Sequence, residues 1–439
     1  MPDEGQFVES GSFKVDRARA LDKLMRFQLE KPERYLLPWV RAGVASHATA
    51  IDIDYTDLGL SLSFDGDVIP EAQLRDPYGT LLGDFSDENT AARHIAIGLL
   101  AALRLKPAGI KIDSGIAGKR RSLVVKDLQE DDLKRAKGPE TKTIINAHWH
   151  GPDKELARQH MTELKGSCLV SPIPIRVNGN ELKRWTRGPE RTGIYFEAGS
   201  AFGWITPADG EAEESRFDAY VLGVSSGQTT FSLPAAQVRG YVNDNRFRLN
   251  ASQSSIVVDS RWKEVKEVIA QKTELLTQQI IEEQIPRMNQ AARLVRKVPF
   301  YKIWETSMRQ ESDAPTPVNR NQWLADIGVG IAAYLGLTSR NPKDIPAFLR
   351  ETAKMTTWLR TASRRMPIHG APLFFSVGGK VLTYKQAKGA RSESGSIMYV
   401  QGPWEHRNTL DPATLWCCGA HDVEDLKAQF DNKVKEIKR

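Results

Sequence analysis

The chain has 439 residues, of which 40% are hydrophobic and 26% are charged. This length exceeds that of one ordinary domain, so we expect two or three domains, each with its own core. No apolar run approaches the roughly 20 residues that a membrane-spanning helix needs, and the N-terminus lacks the basic-then-apolar pattern of a signal peptide. These features predict a cytoplasmic protein that does not cross a membrane.

Charge and cysteine content narrow the class further. The 61 basic and 55 acidic residues give a net charge of +6, and they are interspersed along the chain. Such a mixture permits contact with nucleic acid without indicating it. The three cysteines are Cys168, Cys417 and Cys418. Adjacent cysteines rarely bridge each other, so no disulfide framework is predicted and a reducing compartment fits.

The first half of the chain predicts a mixed domain over 15–180, after a polar tail over 1–14. Apolar residues at helical spacing predict a helix over 15–29 and a second helix in which Pro38 falls in the first turn. Alternating apolar residues predict a strand over 48–55 and another over 58–64. Further predicted helices cover 91–105 and 153–165, and further predicted strands cover 109–113, 121–127, 141–149 and 168–177. This order is typical of an α+β fold with helices to one side of a mostly antiparallel sheet.

The second half begins after a Gly-, Pro- and charge-rich stretch over 178–193, where we place a domain boundary. The segment 193–300 is β-rich up to residue 248 and then predicts a long helix from Ser260 that ends at Pro286. The segment 301–439 predicts helical and small α/β structure. Its predicted helices cover 322–337 and 344–365, with a last one from Val423, and its predicted strands cover 373–377, 396–400 and 415–418.

Four stretches of sequence resemble one protein superfamily when they are taken in order. The first, YLLPWVRAGVASHATAIDIDYTDLGLSLSFDGDVIPEAQL over 35–74, has the helix, hairpin and Gly-containing loop of the GHKL ATPases. The others are ARHIAIGLLAALRLKPAGIKIDS, TKTIINAHWHGPDKELARQHMTELKGSCLVSPIPIRV and QVRGYVNDNRFRLNASQSSIVVDSRWKEVKEVIAQK. Within the superfamily they are most similar to the N-terminal and middle domains of the ninety-kilodalton heat-shock chaperones. The resemblance implies a GHKL (Bergerat-type) α/β sandwich followed by a mixed α/β middle domain, with ATP and Mg²⁺ as the family's cofactors.

The resemblance also assigns family positions to residues of this chain. The family's water-orienting glutamate falls on Pro38, its magnesium-binding asparagine on Ala42, and its phosphate-binding arginine on Gln253. None of these side chains can accept a proton, bind a hard cation or neutralise a phosphate in the same way. The adenine-binding aspartate falls on Phe64, with Asp65 next to it. We therefore expect that hydrolysis by the family mechanism has been lost and that the chain is a pseudo-ATPase.

A residual nucleotide pocket would contain Asp65, Gly66, Gly98 and Thr141, according to the same resemblance. Strand alternation turns Phe64 toward that pocket and Asp65 away from it, so a role for Asp65 would need a bulge or a shifted register. The glycines also fit ordinary turn and helix-packing positions. ATP and magnesium binding are accordingly doubtful expectations for this chain.

Two other patterns suggest functional sites. His148-Trp149-His150 and Cys417-Cys418-x-x-His421 invite a zinc interpretation, but structural zinc sites use spaced pairs of ligands, so we predict no metal site. The helix over 344–365 carries several basic residues that could contact an acidic partner or nucleic acid, although a solvated helix face is favoured. These residues are Arg350, Lys354, Arg360, Arg364 and Arg365.

The function expected from the resemblance is the binding of partner or client proteins by a chaperone-like module with a degenerate nucleotide site. The family's dimerisation domain has no counterpart here, so a monomer or a weak dimer is expected. One alternative is a divergent ATPase that binds ATP through Asp65. Another is a DNA-associated GHKL protein of the repair type, which would bind duplex DNA in a salt-dependent way.

Overall fold

The protein is mixed α and β, as predicted. A computed structural model describes most of the chain, and none of its described helices is long and apolar enough to cross a bilayer. The described residues are 17–27, 31–56, 58–82, 90–128, 131–138, 140–151, 154–185, 192–209, 212–308, 345–392, 395–404, 410–431 and 433–437.

The N-terminal part, here called the first lobe, is built on an eight-stranded sheet. Its strands are β1 (Ile51–Thr56), β2 (Gly59–Phe64), β3 (Gly109–Ser114), β4 (Arg121–Val125), β5 (Asp131–Arg135), β6 (Thr143–His148), β7 (Ile175–Val177) and β8 (Asn180–Glu181). They lie in the order β5-β4-β3-β6-β2-β1-β7-β8. Strands β1 and β7 run parallel, and the other neighbours run antiparallel. The mostly antiparallel sheet expected from the sequence is therefore confirmed.

One face of this sheet is covered by helices. Along β2, Leu60, Leu62 and Phe64 are buried and the serines between them are partly exposed. Strands β1, β3 and β6 alternate in the same way, because successive side chains in a strand point to opposite faces. The helices of this lobe are α1 (Arg17–Phe27), α2 (Leu36–Ala45), α3 (Glu71–Arg75), α4 (Gly79–Leu82), α5 (Thr90–Leu103) and α6 (Lys154–Ser167), with a 3₁₀ turn over Pro32–Tyr35.

The strand predicted over 168–177 is mostly wrong, because only Ile175–Val177 forms β7. Pro172 and Pro174 lack the N–H group that a ladder requires, so the preceding residues form turns instead. Strand β5 was missed, since its sequence DDLKR has no apolar alternation. The short helices α3 and α4 were also missed.

The second lobe contains a five-stranded sheet covered by a long helix. The strands are β9 (Ile194–Ala198), β10 (Ala201–Pro207), β11 (Ser215–Val221), β12 (Val224–Phe231) and β13 (Val238–Asp244), in the order β12-β11-β13-β10-β9. Helix α7 (Ser260–Leu294) begins at Asp259, whose carboxylate accepts a hydrogen bond from the Trp262 N–H at 3.1 Å. The Trp262 ring packs edge-on against Phe231 and Phe247 and so joins the helix to the sheet.

The predicted end of this helix at Pro286 is wrong, because α7 continues through the proline to Leu294. A proline inside a helix removes one backbone hydrogen bond and crowds the preceding turn. Pro286 lies on the exposed side of the helix, where water can solvate the freed carbonyl group. Met288 and Ala291 are buried beyond it, so the apolar face continues and favours a continuous helix.

The C-terminal part adds helices and a second five-stranded sheet. Its helices are α8 (Val298–Met308), α9 (Ile345–Arg365), α10 (Tyr384–Gly389) and α11 (Ala420–Gln429). Its strands are β14 (Pro372–Ser376), β15 (Val381–Thr383), β16 (Ile397–Gln401), β17 (Leu415–Cys417) and β18 (Val434–Glu436). Helix α9 has Pro346 in its first turn, as predicted. The predicted helix over 322–337 and the predicted N-cap Asp344 lie outside the described residues.

The basic helix α9 does not present all its cations to solvent. Arg360 is 2% exposed, and its guanidinium donates to the Leu373 carbonyl at 2.9 and 2.7 Å. It also pairs with Asp422 and, at 3.2 Å, with Asp425. Arg364 pairs with Asp425 as well. The interpretation of this helix as a solvated basic face, or as a contact for an acidic partner, is therefore wrong for Arg360, which joins α9 to α11.

We expect Arg360→Met to lower the free energy of unfolding by about 3–5 kcal/mol, because it leaves the buried Asp422 carboxylate without a cation and Asp425 with Arg364 alone. Chemical denaturation followed by circular dichroism would measure the loss. Lys354→Met on the same helix is the control. Lys354 pairs with Asp209 at the surface, so its replacement should cost less than about 1 kcal/mol. Equal losses in the two variants would contradict this role of Arg360.

Candidate functional site

Helix α2 contributes the largest side chain between itself and α5. Trp39 is 0% exposed, and its indole Nε1 donates to the Ile95 carbonyl of α5 at 3.3 Å. A Cβ atom placed on Gly98 would lie 2.2 Å from that same Nε1 atom. Gly98 therefore gives the Trp39 indole the room to lie against α5. The indole fills the space between the two helices.

The contact between α2 and the sheet is also closely packed. Phe64 is 2% exposed at the end of β2. A Cβ atom on Gly43 would lie 2.7 Å from Ile51 Cδ1 and 3.3 Å from Phe64 Cδ1. The residues expected at the family's catalytic positions, Pro38 and Ala42, are also buried. Hydrocarbon and aromatic groups thus occupy these positions of the expected pocket.

The Asp65 side chain points away from the core, toward the exposed residues that precede β1. Its carboxylate accepts hydrogen bonds from the Thr49 N–H at 2.7 Å, the Thr49 hydroxyl at 2.6 Å and the Ala50 N–H at 3.4 Å. The hydrogen bond from the Thr49 hydroxyl is the main reason why the pKa of Asp65 lies below its usual value. This arrangement follows the strand alternation predicted from the sequence, with Phe64 inside and Asp65 outside.

Gly66 forms the turn that brings β2 against the end of α2. Its φ angle is +96°, and a Cβ atom there would lie 2.3 Å from the Ser46 carbonyl oxygen. The next residue, Asp67, donates its N–H to the same oxygen at 2.7 Å. The turn therefore requires glycine for both its conformation and its close approach to α2.

Thr141 lies near the loop between β3 and β4, where its hydroxyl accepts from the Ala117 N–H at 3.2 Å. A different threonine, Thr143, is the buried one, and it lies opposite Phe64 in the sheet. Its hydroxyl is 2.7 Å from that of Ser114, which in turn accepts from the Ile69 N–H at 2.9 Å. The resemblance pointed to Thr141, and the burial of Thr143 becomes apparent only in the fold.

Gln253 lies at the junction of the two lobes, and there it meets a residue that sequence reasoning also missed. Arg41 of α2 is 2% exposed. It donates to the Ser225 carbonyl at 3.0 Å, the Ser226 hydroxyl at 2.9 Å and the Gln253 amide oxygen at 3.5 Å. A lone arginine inside the apolar run LLPWVRAGVA was the available signal.

The Arg41 guanidinium remains a cation at neutral pH. Burial is the main cause that lowers its pKa to about 10. Cys168 raises the pKa of Arg41, and the nearby positive charge of Arg34 lowers it further. The first lobe thus reaches the second through a buried positive charge.

The four residues expected to form a residual nucleotide pocket have four separate sets of neighbours. Asp65 bonds Thr49, Gly66 lies on Ser46, and Gly98 lies under Trp39. Thr141 bonds the backbone of Ala117. Each has a local structural role, and the contacts of one are not shared with the others.

The residues of the two zinc-like patterns also have structural positions. His148 ends β6. Cys417 and Cys418 are buried, and His421 lies 3.8 Å from Asp425. Within the described ranges, no three His, Cys, Asp or Glu side chains come together in a way that could hold a metal ion.

Comparisons with known proteins give no family for this chain. No family model matches the sequence, and no curated protein matches it. The relation to the GHKL ATPases therefore remains a proposal that rests on the residues described above.

The contact between Gly98 and Trp39 can be tested with Gly98→Ala. The added methyl group should push the indole out of place and lower the free energy of unfolding by about 1–3 kcal/mol. Gly166→Ala in α6 is a matched control, because nothing lies within 4 Å of the place that its Cβ atom would take. An alanine there should raise stability by about 0.5–1 kcal/mol. If both variants unfold at the same denaturant concentration, the contact is not tight.

The role of Asp65 predicts a pH dependence. Asp65→Asn should lower the melting temperature at pH 7, because the charged acceptor of the Thr49 bonds is lost. A carboxylate whose folded pKa is lowered stabilises above its unfolded value, here about 3.8, and loses that effect as the pH falls through the folded pKa. The difference between the two proteins should therefore close below about pH 3.8. A difference that persists in acid would show that Asp65 acts by some other means.

Proposed function

We propose that this chain is a chaperone-like GHKL protein that binds partner or client proteins and has lost the family's nucleotide chemistry. The observation that carries the proposal is the packing of Trp39 between α2 and α5, where it lies on Gly98. In the family that this sequence resembles, nucleotide occupies the space next to the second helix. Here an indole ring fills the gap between the two helices.

The chemical groups of the family mechanism are also missing at the corresponding positions. Pro38 and Ala42 offer neither a general base nor an oxygen ligand for Mg²⁺. Gln253 carries no charge, and its side chain bonds Arg41 and the Asn250 carbonyl. An ATPase that used these positions would lack its base, its metal ligand and its phosphate clamp.

The alternative of an active ATPase through Asp65 has little support from the geometry. Asp65 accepts three hydrogen bonds at the exposed start of β1. To accept from an adenine amino group instead, it would have to leave those donors and change places with the buried Phe64 ring.

Partner binding is supported by apolar side chains that the second lobe exposes. Val258, which precedes α7, is 69% exposed, and Leu275 on α7 is 57% exposed. An exposed apolar side chain gains free energy when contact with another protein removes it from water. We therefore expect the bound partner to be an apolar segment of a partly unfolded protein.

The proposal is tested by light scattering during the heating of an aggregation-prone reporter enzyme. The full chain in molar excess should suppress aggregation without ATP, and MgATP should not change the suppression. The double variant Val258→Ser and Leu275→Ser should suppress less. Gln271→Ser, one helical turn before Leu275, is the matched control and should act like the unmodified chain.

Two results would overturn the proposal. One is unchanged aggregation in the presence of the chain. The other is suppression that depends on ATP, which would indicate a working nucleotide cycle.

A further inference from the structure

Arg41 is a buried cation that pairs with no carboxylate among the described residues. Its hydrogen-bond acceptors are neutral oxygens of Ser225, Ser226 and Gln253, and in the described part of the chain no acidic side chain pairs with it. Its Nε atom is buried and has no hydrogen-bond partner there. Burying a charge without a counter-ion is costly, so such a group favours binding of an anion.

A cleft lies beside Arg41 at the junction of the lobes. It is lined on one side by Lys31 and Arg34 and on the other by Ser225, Ser252 and Ser254. Arg34 is held by Glu163 at 3.0 Å, whereas Lys31 is exposed. The described lining therefore contains three cationic side chains, three serine residues and no carboxylate.

The serine side of the cleft is preorganised. Asn250 Oδ1 accepts from the Ser254 N–H at 3.0 Å, and the Ser252 and Ser254 hydroxyls are 2.8 Å apart. Gln253 adopts a φ angle of +58° in the same turn. The turn thus presents its hydroxyl groups from a fixed backbone, which lowers the entropy cost of binding a ligand.

The size of the cleft restricts the ligand. Its volume is about 50 Å³, whereas pockets for drug-sized molecules occupy roughly 300–1,000 Å³. A single tetrahedral oxyanion is of the right order, and its oxygens are good acceptors for guanidinium, ammonium and hydroxyl donors.

We propose that this cleft binds a phosphate group, with Arg41, Lys31 and Arg34 supplying positive charge and Ser252 and Ser254 supplying hydroxyl donors. The bound group is either free inorganic phosphate or the terminal phosphate of a small monoester. It bridges the start of α2 to the turn over 250–255, and so it ties the two lobes together. The inference does not depend on the proposed function.

The test is the thermal unfolding of the full chain and calorimetric titration with sodium phosphate, with sodium chloride at equal ionic strength as the reference. Phosphate should raise the melting temperature by a few degrees when it is present at about 100 times its Kd. Lys31→Ala should weaken binding about fivefold, since it removes one exposed cation from the cleft. Lys119→Ala, an exposed lysine of the first lobe, is the control and should leave the Kd unchanged.

Two further variants test the other donors of the cleft. Arg41→Met removes the buried charge, and if it folds it should abolish the stabilisation by phosphate. Ser252→Ala keeps the packing and should weaken binding to a smaller extent than Lys31→Ala. Glycerol phosphate distinguishes the two sources of the group, because tighter binding than that of inorganic phosphate indicates a monoester.

The proposal is overturned if phosphate stabilises no more than chloride does. It is also overturned if Lys31→Ala and Lys119→Ala change the Kd equally, because the effect would then be general screening of charge.

Discussion

The burial of α2 on every side is the constraint on which the rest of the structure depends. A helix of ten residues has eight of them buried, including Pro38 and Arg41. Three different contacts hold it: Trp39 lies on α5, Gly43 lies on the sheet, and Arg41 reaches the second lobe. Because these contacts join the helix to three different parts of the fold, a change to any one of them moves the helix against the other two.

Under the proposed function, this packing would let the chain keep a two-lobed arrangement without nucleotide chemistry. A helix that binds nucleotide must leave space beside itself and expose polar groups to that space. Here the large indole of Trp39 and the ring of Phe64 fill the core, and the positions expected to be catalytic carry proline and alanine. The charge on the helix faces the second lobe, where Arg41 and Gln253 meet. The proposed oxyanion at that junction would compensate a charge that no carboxylate pairs with among the described residues.

The sequence predicted the elements whose apolar residues follow a clear period. The alternation of Leu60, Leu62 and Phe64 predicted both the strand and the outward direction of Asp65. The effect of a proline was harder to predict, because it depends on tertiary context. Pro38 lies in a first turn as expected. Pro286 lies inside α7, which continues past it because the helix keeps a buried apolar face. The partners of charged residues were not predictable. Arg360 looked like part of a solvated face, and only the fold brings Asp422 and Asp425 to it.

Hydrogen exchange with and without MgATP is the measurement that tests most directly whether the space beside α2 is filled. We predict the same exchange rates in both conditions for the segments 59–69 and 90–103, which contain Phe64 and Gly98. Slower exchange of these two segments in the presence of MgATP would contradict the account, because it would mean that Trp39 moves aside to admit a nucleotide.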